Sequence, residues 1–269
     1  MMTQGSIGRI LNVSFNPGST NPPTITAGSP AHTKGAWTEI VGGLGINASA
    51  IMLRGTVENV YPNEEGNSLI DIGMGAAGSE RVIIPNLFHP SSEGMQVLLP
   101  VRFPAGQRLA VRMQSVVASA TMSLMITMMD QGYWSPPGFD LVESSADLAN
   151  SRGHTLTDPG AAHTKGAWTE LIASTSFAAK KMLVVVDKLY GENGDAKSTV
   201  DIGVGSAGNE VVIVPDIYTW HKQFSSVGRL PYSLWDVNIP PGSRVAARYQ
   251  SAGSAAGGRT LHCQVMLFG

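Results

Sequence analysis

Nine consecutive residues occur twice in this chain without a substitution, and nothing else in it constrains the fold as tightly. Ala31-His32-Thr33-Lys34-Gly35-Ala36-Trp37-Thr38-Glu39 returns as Ala162-His163-Thr164-Lys165-Gly166-Ala167-Trp168-Thr169-Glu170. Identity over that length points to a duplicated structural unit and not to shared composition. Smaller matches surround it: Thr24-Ile25-Thr26 with Thr155-Leu156-Thr157, and Pro104-Ala105-Gly106 with Pro240-Pro241-Gly242. The chain of 269 residues therefore divides into an N-terminal arm (1–23), a first repeat (24–132), a linker (133–154) and a second repeat (155–269). Each repeat has an ordinary domain size.

The periodicity inside each repeat is two, the signal of a half-buried strand. Leu109, Val111 and Met113 alternate with Ala110, Arg112 and Gln114, and Met122, Leu124, Ile126 and Met128 alternate in the next strand. In the second copy, Val245, Ala247 and Tyr249 take the inward positions, followed by Leu261, Cys263, Val265 and Leu267. Short strands punctuated by Gly and Pro turns, with no helical period, predict an all-β protein: two tandem antiparallel β-sandwich, jelly-roll-like domains behind an extended arm. Ser6 to Ser14 of the arm reads as one strand, and Asp140 to Asn150 of the linker as a short helix or an extended segment. The second copy carries a longer loop, 216–236, which contains Tyr218, Trp220, Phe224, Tyr232 and Trp235.

Charge and cysteine usage remove several functions. Basic and acidic residues number 18 and 20 with no basic run, so the clustered cations that displace phosphate counterions are missing and nucleic acid is not an expected partner. Cys263 is the single cysteine, which leaves no intrachain disulfide and no thiolate metal site. No stretch is long and apolar enough for a membrane span, and the N-terminal residues do not read as a signal peptide. Folding in a cytosol is expected.

Four motifs invite a chemical reading. Gly73-Met74-Gly75-Ala76-Ala77-Gly78 and Gly203-Val204-Gly205-Ser206-Ala207-Gly208 have the G-x-G-x-x-G form. A dinucleotide site needs such glycines to open a helix, whereas these run into β-branched residues stopped by Pro85 and Pro215. They read as tight turns capped by Asp71 and Asp201, and no cofactor is expected. The repeated box offers His32, Trp37 and Glu39, with His163, Trp168 and Glu170. No nucleophile recurs with them, and one His per unit is too few for a metal. The tryptophans are expected to fill the core while His and Lys hold the preceding turn; a core Trp168 would cost about 3–5 kcal/mol on truncation to alanine. The oxygen-rich stretches 63–67 and 187–195 lack the spacing of a calcium-binding hand and read as solvated turns. No catalytic and no metal-ligating residue is expected. The aromatic loop is the candidate contact surface for a partner or a glycan.

Taken together, the box continued by Asp71-Ile72-Gly73 through Glu80, by Val82-Ile83-Ile84-Pro85, and by Ile239-Pro240-Pro241-Gly242-Ser243-Arg244-Val245-Ala246-Ala247-Arg248 resembles structural proteins of tailed bacteriophages. The resemblance covers both repeats and not the arm. It implies a virion component without enzyme activity, assembled in the host cytoplasm. The first role it implies is a capsid cement or decoration protein bound to the major capsid protein or other virion proteins, self-associating as a trimer. The alternative is a tail- or fibre-associated protein that binds a receptor or carbohydrate.

Overall fold

The computed structural model describes residues 9–13, 22–58, 67–90, 95–132, 138–187, 196–221, 232–253 and 259–269. Among them the first compact unit holds nine strands: β1 (Ile10–Asn12), β2 (Thr24–Thr26), β3 (Thr38–Val41), β4 (Ala48–Glu58), β5 (Ser68–Met74), β6 (Arg81–His89), β7 (Met95–Leu99), β8 (Leu109–Ser115) and β9 (Thr121–Asp130). The series then repeats as β10 (Val142–Ser144), β11 (His154–Thr157), β12 (Thr169–Ile172), β13 (Ala179–Val186), β14 (Ala196–Val204), β15 (Val211–His221), β16 (Tyr232–Ile239), β17 (Val245–Ser251) and β18 (Thr260–Phe268).

The two series pair identically. One sheet of the first unit runs β1-β9-β4-β7 with β2 also on β9, and the other runs β3-β8-β5-β6. The second has β10-β18-β13-β16 with β11 on β18, and β12-β17-β14-β15. From β2 to β9 and from β11 to β18, successive strands cross between sheets except at the β5–β6 and β14–β15 hairpins, which is the double Greek key of a jelly roll. The all-β sandwich expected from period two is what forms. The stretches before the repeats each contribute one strand, β1 on β9 and β10 on β18. The linker adds one turn of 3-10 helix, Leu148–Asn150, which groups with the first unit together with Ser151.

Cores sit where the alternation placed them. Leu109, Val111, Met113, Met122, Leu124, Ile126 and Met128 are fully buried in the first unit. Val245, Ala247, Tyr249, Leu261, Cys263, Val265 and Leu267 form the second core with Val184, Val200 and Ile202. Burial pushes the Cys263 thiol up to about 12, so it stays protonated and packs as a small apolar group.

Two features differ from the sequence reading. Pro85 and Pro215 do not stop their strands, because β6 and β15 continue through them to His89 and His221. Both are edge strands, where a missing N–H costs no ladder bond. A bulge follows each proline, with Asn86 and Asp216 both at a φ of 49° and a register shift between Ile70 and Ile72 and between Val200 and Ile202. The segment 216–236 is for the same reason not one loop: β15 occupies it up to His221 and β16 from Tyr232.

Candidate functional site

The repeated box lies beside the last strand to enter its sheet. His32 N–H donates to Ser115 O and Gly35 N–H to Met113 O, each at 2.8 Å. His163 and Gly166 do the same to Ser251 O and Tyr249 O, again at 2.8 Å. Both histidines take a positive φ, 61° and 57°, so their backbone makes the turn while the Lys two residues later is aimed across the sheet.

Across that sheet a buried carboxylate collects the charges. Asp71 in β5 is 3% exposed and accepts from Lys34 Nζ at 2.8 Å, Asn86 N–H at 2.8 Å and Arg112 Nε at 2.9 Å. Asp201 accepts from Lys165 Nζ at 2.7 Å, Asp216 N–H at 3.0 Å and Arg248 Nε at 3.0 Å. These aspartates therefore do not cap the glycine turns; they hold the bulge after the proline, three elements being tied to one carboxylate. The arginines also lie over the tryptophans, Arg112 on Trp37 and Arg248 on Trp168, both 4.5 Å from the ring centroid.

The tryptophans are not core residues. Trp37 and Trp168 are half-buried on the outer face, each ring lying where a side chain at Gly73 or Gly203 would begin: an added Cβ would meet Trp37 Cη2 or Trp168 Cη2 at 2.7 Å. The bare surface of Gly73 and Gly203 gives each ring its seat on that face. With partial burial and a cation–π contact worth about 0.5–1 kcal/mol near the surface, Trp168→Ala should cost about 1–2 kcal/mol by denaturant unfolding, below the range for a core tryptophan. A loss of 3 kcal/mol or more would return it to the core.

A second clasp repeats at the hairpin end. Arg108 Nε donates to Glu39 at 2.6 Å and its Nη1 to Glu80 at 2.8 Å and Gly75 O at 3.3 Å. Arg244 donates to Glu170 and Glu210, each at 2.7 Å, and to Gly205 O at 3.4 Å. Gly75 and Gly78 hold a φ of 123° and 80° in that turn, so the glycine motif serves a β5–β6 hairpin and opens no helix.

These contacts set a pH response. At Asp201 burial alone would raise the pKa, and the bonds from Lys165, Asp216 N–H and Arg248 outweigh it, leaving it below the usual range. At Glu80 and Glu210 burial, the largest single effect, likewise pushes the pKa up and is outweighed, by backbone N–H groups and Arg108 at Glu80 and by Arg244 and backbone N–H groups at Glu210. A depressed folded pKa means the unfolded chain binds protons first. Stability from these groups is thus complete above about pH 5 and lost as pH falls below about 4. Calorimetry across that range should show a falling Tm on acidification; a rising Tm would contradict these assignments.

The aromatics expected to form one contact surface are spread over two sheets. Tyr218 stands on β15, 61% exposed, and Trp220 also belongs to β15. Tyr232 and Trp235 belong to β16 in the other sheet, where Trp235 packs against the core and its Nε1 donates to Ser233 Oγ at 2.9 Å. Phe224 lies outside the described residues, as do 63–66 and 188–195 of the oxygen-rich stretches. No group of three or more His, Cys, Asp or Glu placed to hold a metal ion occurs among the described residues. None of their helices is long and apolar enough to cross a membrane.

A pocket of about 180 Å³ that no motif announced opens on the outer face of the second unit, lined by His163, Lys197, Thr199, Tyr218, Gln250 and Ser251. Thr199 is in register with Tyr218 on one side and Gln250 on the other, so three adjacent strands supply its floor.

No known protein family matches the chain, and no curated protein matches it. Solved structures similar to it include the tandem CBM22-1–CBM22-2 domain of Paenibacillus barcinonensis Xyn10C, at 9% identity and a TM-score of 0.31, covering 98% of this chain and 99% of that one. Another is PNGF-II, at 7% identity and 0.38, covering 98% and 65%. A third is a chain of Sulfolobus turreted icosahedral virus, at 9% identity and 0.36, covering 97% and 90%. Likenesses this distant add nothing to the architecture traced strand by strand above.

Proposed function

We propose that this chain is a non-catalytic structural protein of a tailed-bacteriophage virion, a capsid cement or decoration protein that stabilises the particle through contacts with the major capsid protein or other virion proteins. One observation carries the reading. The charged groups that the two repeats share are consumed in closed networks around Asp71, Asp201, Arg108 and Arg244, while apolar side chains are displayed on an edge strand. Val211 is 68% and Ile213 37% exposed on β15, where the first unit has Arg81 and a buried Ile83. An exposed apolar edge is a liability in a free monomer and an asset in a part made to be covered.

A second reading, a tail- or fibre-associated carbohydrate-binding protein, is favoured by Tyr218 standing exposed beside the polar groups of the 180 Å³ pocket. Two measurements on the full chain separate them. Co-sedimentation with particles lacking the protein should be saturable and weakened by Val211→Asp, with no signal on a glycan array. Glycan binding abolished by Tyr218→Ala, without particle binding, would overturn the cement reading in favour of the second.

A further inference from the structure

The duplication separates what the sandwich needs from what the second unit adds. Register places Leu69, Phe88 and Gln114 of the first unit where Thr199, Tyr218 and Gln250 stand in the second. Asn67 precedes Ser68 as Lys197 precedes Ser198, and the two serines pair alike, with Ser115 and Ser251. Asn67, Leu69 and Phe88 are fully buried, whereas Tyr218 is 61% exposed and Lys197 is exposed too. Lys197, Thr199, Tyr218 and Gln250 all line the 180 Å³ pocket, and no acidic residue does. Asp216, the carboxylate bonded to Thr199, is already held by Lys165. Among the described lysines and arginines of the second repeat, Lys197 alone makes no side-chain hydrogen bond or ion pair. Lys165, Lys180, Lys181, Arg244, Arg248 and Arg259 each make at least one. The cation added at this pocket is the one left open.

We propose that this pocket receives a carboxylate from the protein that covers the second unit, an Asp or Glu side chain on an extended segment lying along β15. The proposal rests on the cement reading above and adds the partner's chemistry to it. An ammonium offers donors and no acceptor, and the Tyr218 hydroxyl and Gln250 amide supply neutral donors beside it. That set suits a single negative charge, which a charge-assisted bond from Lys197 would anchor. One cation is too few for a nucleic-acid backbone, which is held by clusters. A neutral sugar would leave the ammonium without a counter-charge. The path of the strand fits as well. Tyr218 follows Ile213 on β15 by about 16 Å of extended chain. A segment that covers the exposed Val211 and Ile213 therefore reaches the pocket within a few residues.

Titration calorimetry of the full chain tests it, with a short extended peptide of alternating Glu and Val as the probe and its Gln and Val counterpart as the control. Wild type should bind the Glu peptide at least about tenfold more tightly, the usual worth of one charge-assisted hydrogen bond. Lys197→Gln should abolish that preference with an unchanged Tm, since the side chain bonds nothing in the fold. Tyr218→Phe, which removes only the hydroxyl, should reduce it by less. Raising the salt to about 0.5 M should erode the preference of wild type and leave Lys197→Gln unaltered. On particles lacking the protein, Lys197→Gln should bind more weakly than wild type by a similar factor. Equal affinity of wild type for the two peptides, or a preference that survives Lys197→Gln, would overturn the proposal. Particle binding that is indifferent to Lys197→Gln would overturn it while leaving the cement reading in place, and absence of particle binding by wild type would overturn both. A neutral glycan held at Tyr218 in place of the Glu peptide would also overturn it.

Discussion

Asp71→Ala is expected to lower the stability of the first unit by about 3–5 kcal/mol, the cost of removing one partner from a buried ion pair. The carboxylate is 4% exposed by side chain, whereas Lys34 and Arg112 keep 22% and 29%. The loss therefore comes mainly from what the carboxylate leaves behind: an ammonium, a guanidinium and the Asn86 N–H at the bulge, all facing a void. Lys34 is already held below its ordinary pKa, since burial outweighs the attraction of Asp71, and it would gain further reason to shed its proton. A drop in Tm of about 10 °C or more follows from that free energy for a unit of this size. Replacing the three charges together (Lys34→Met, Asp71→Leu, Arg112→Met) should recover much of the loss, because a dry apolar cluster leaves nothing unpaired. Asp201→Ala should repeat the effect in the second unit.

Gly166→Ala should be nearly as damaging, at about 3 kcal/mol, and Gly35→Ala equally so. A Cβ at Gly35 would overlap Thr26 O, and one at Gly166 would overlap Thr157 O. Both obstacles are backbone that is itself tied into a sheet, so the strain cannot be shed by rotating a side chain. Gly78→Ala is the contrast. Its Cβ would meet nothing within 4 Å and its φ is 80°, so only the left-handed backbone penalty of about 1–2 kcal/mol applies. Urea titration of the three variants should rank Gly35 and Gly166 well above Gly78; a cost at Gly166 no larger than at Gly78 would mean that the box does not run against the preceding strand.

That comparison shows why some of the molecule could be read from its residues and some could not. Alternation of Met122, Leu124, Ile126 and Met128 against Ser123 and Thr127 located a strand and its buried face, because a period of two has one structural meaning. The duplication located both sandwiches at once. Trp37 misled because residue type suggested burial, while its true place depends on Gly73, distant in sequence and directly beneath the ring. Asp71 misled because its neighbours in sequence are turn glycines, while its partners Lys34, Asn86 and Arg112 come from three other segments. The recurrence of Asp71, Arg112 and Lys34 as Asp201, Arg248 and Lys165 was the available signal, since only a shared contact explains why three separated charges survive together. The pocket around Gln250 had no local signal, because its lining is drawn from three adjacent strands and the turn at His163.

Imaging of intact virus particles from cells that make this chain is the most direct measurement. Paired jelly-roll densities on the capsid, seated through the β15 edge of the second unit and repeating with the symmetry of the shell, are the predicted result. Particles that contain no copy of the chain, or copies confined to a tail or fibre tip with the 180 Å³ pocket facing outward, would contradict the cement assignment.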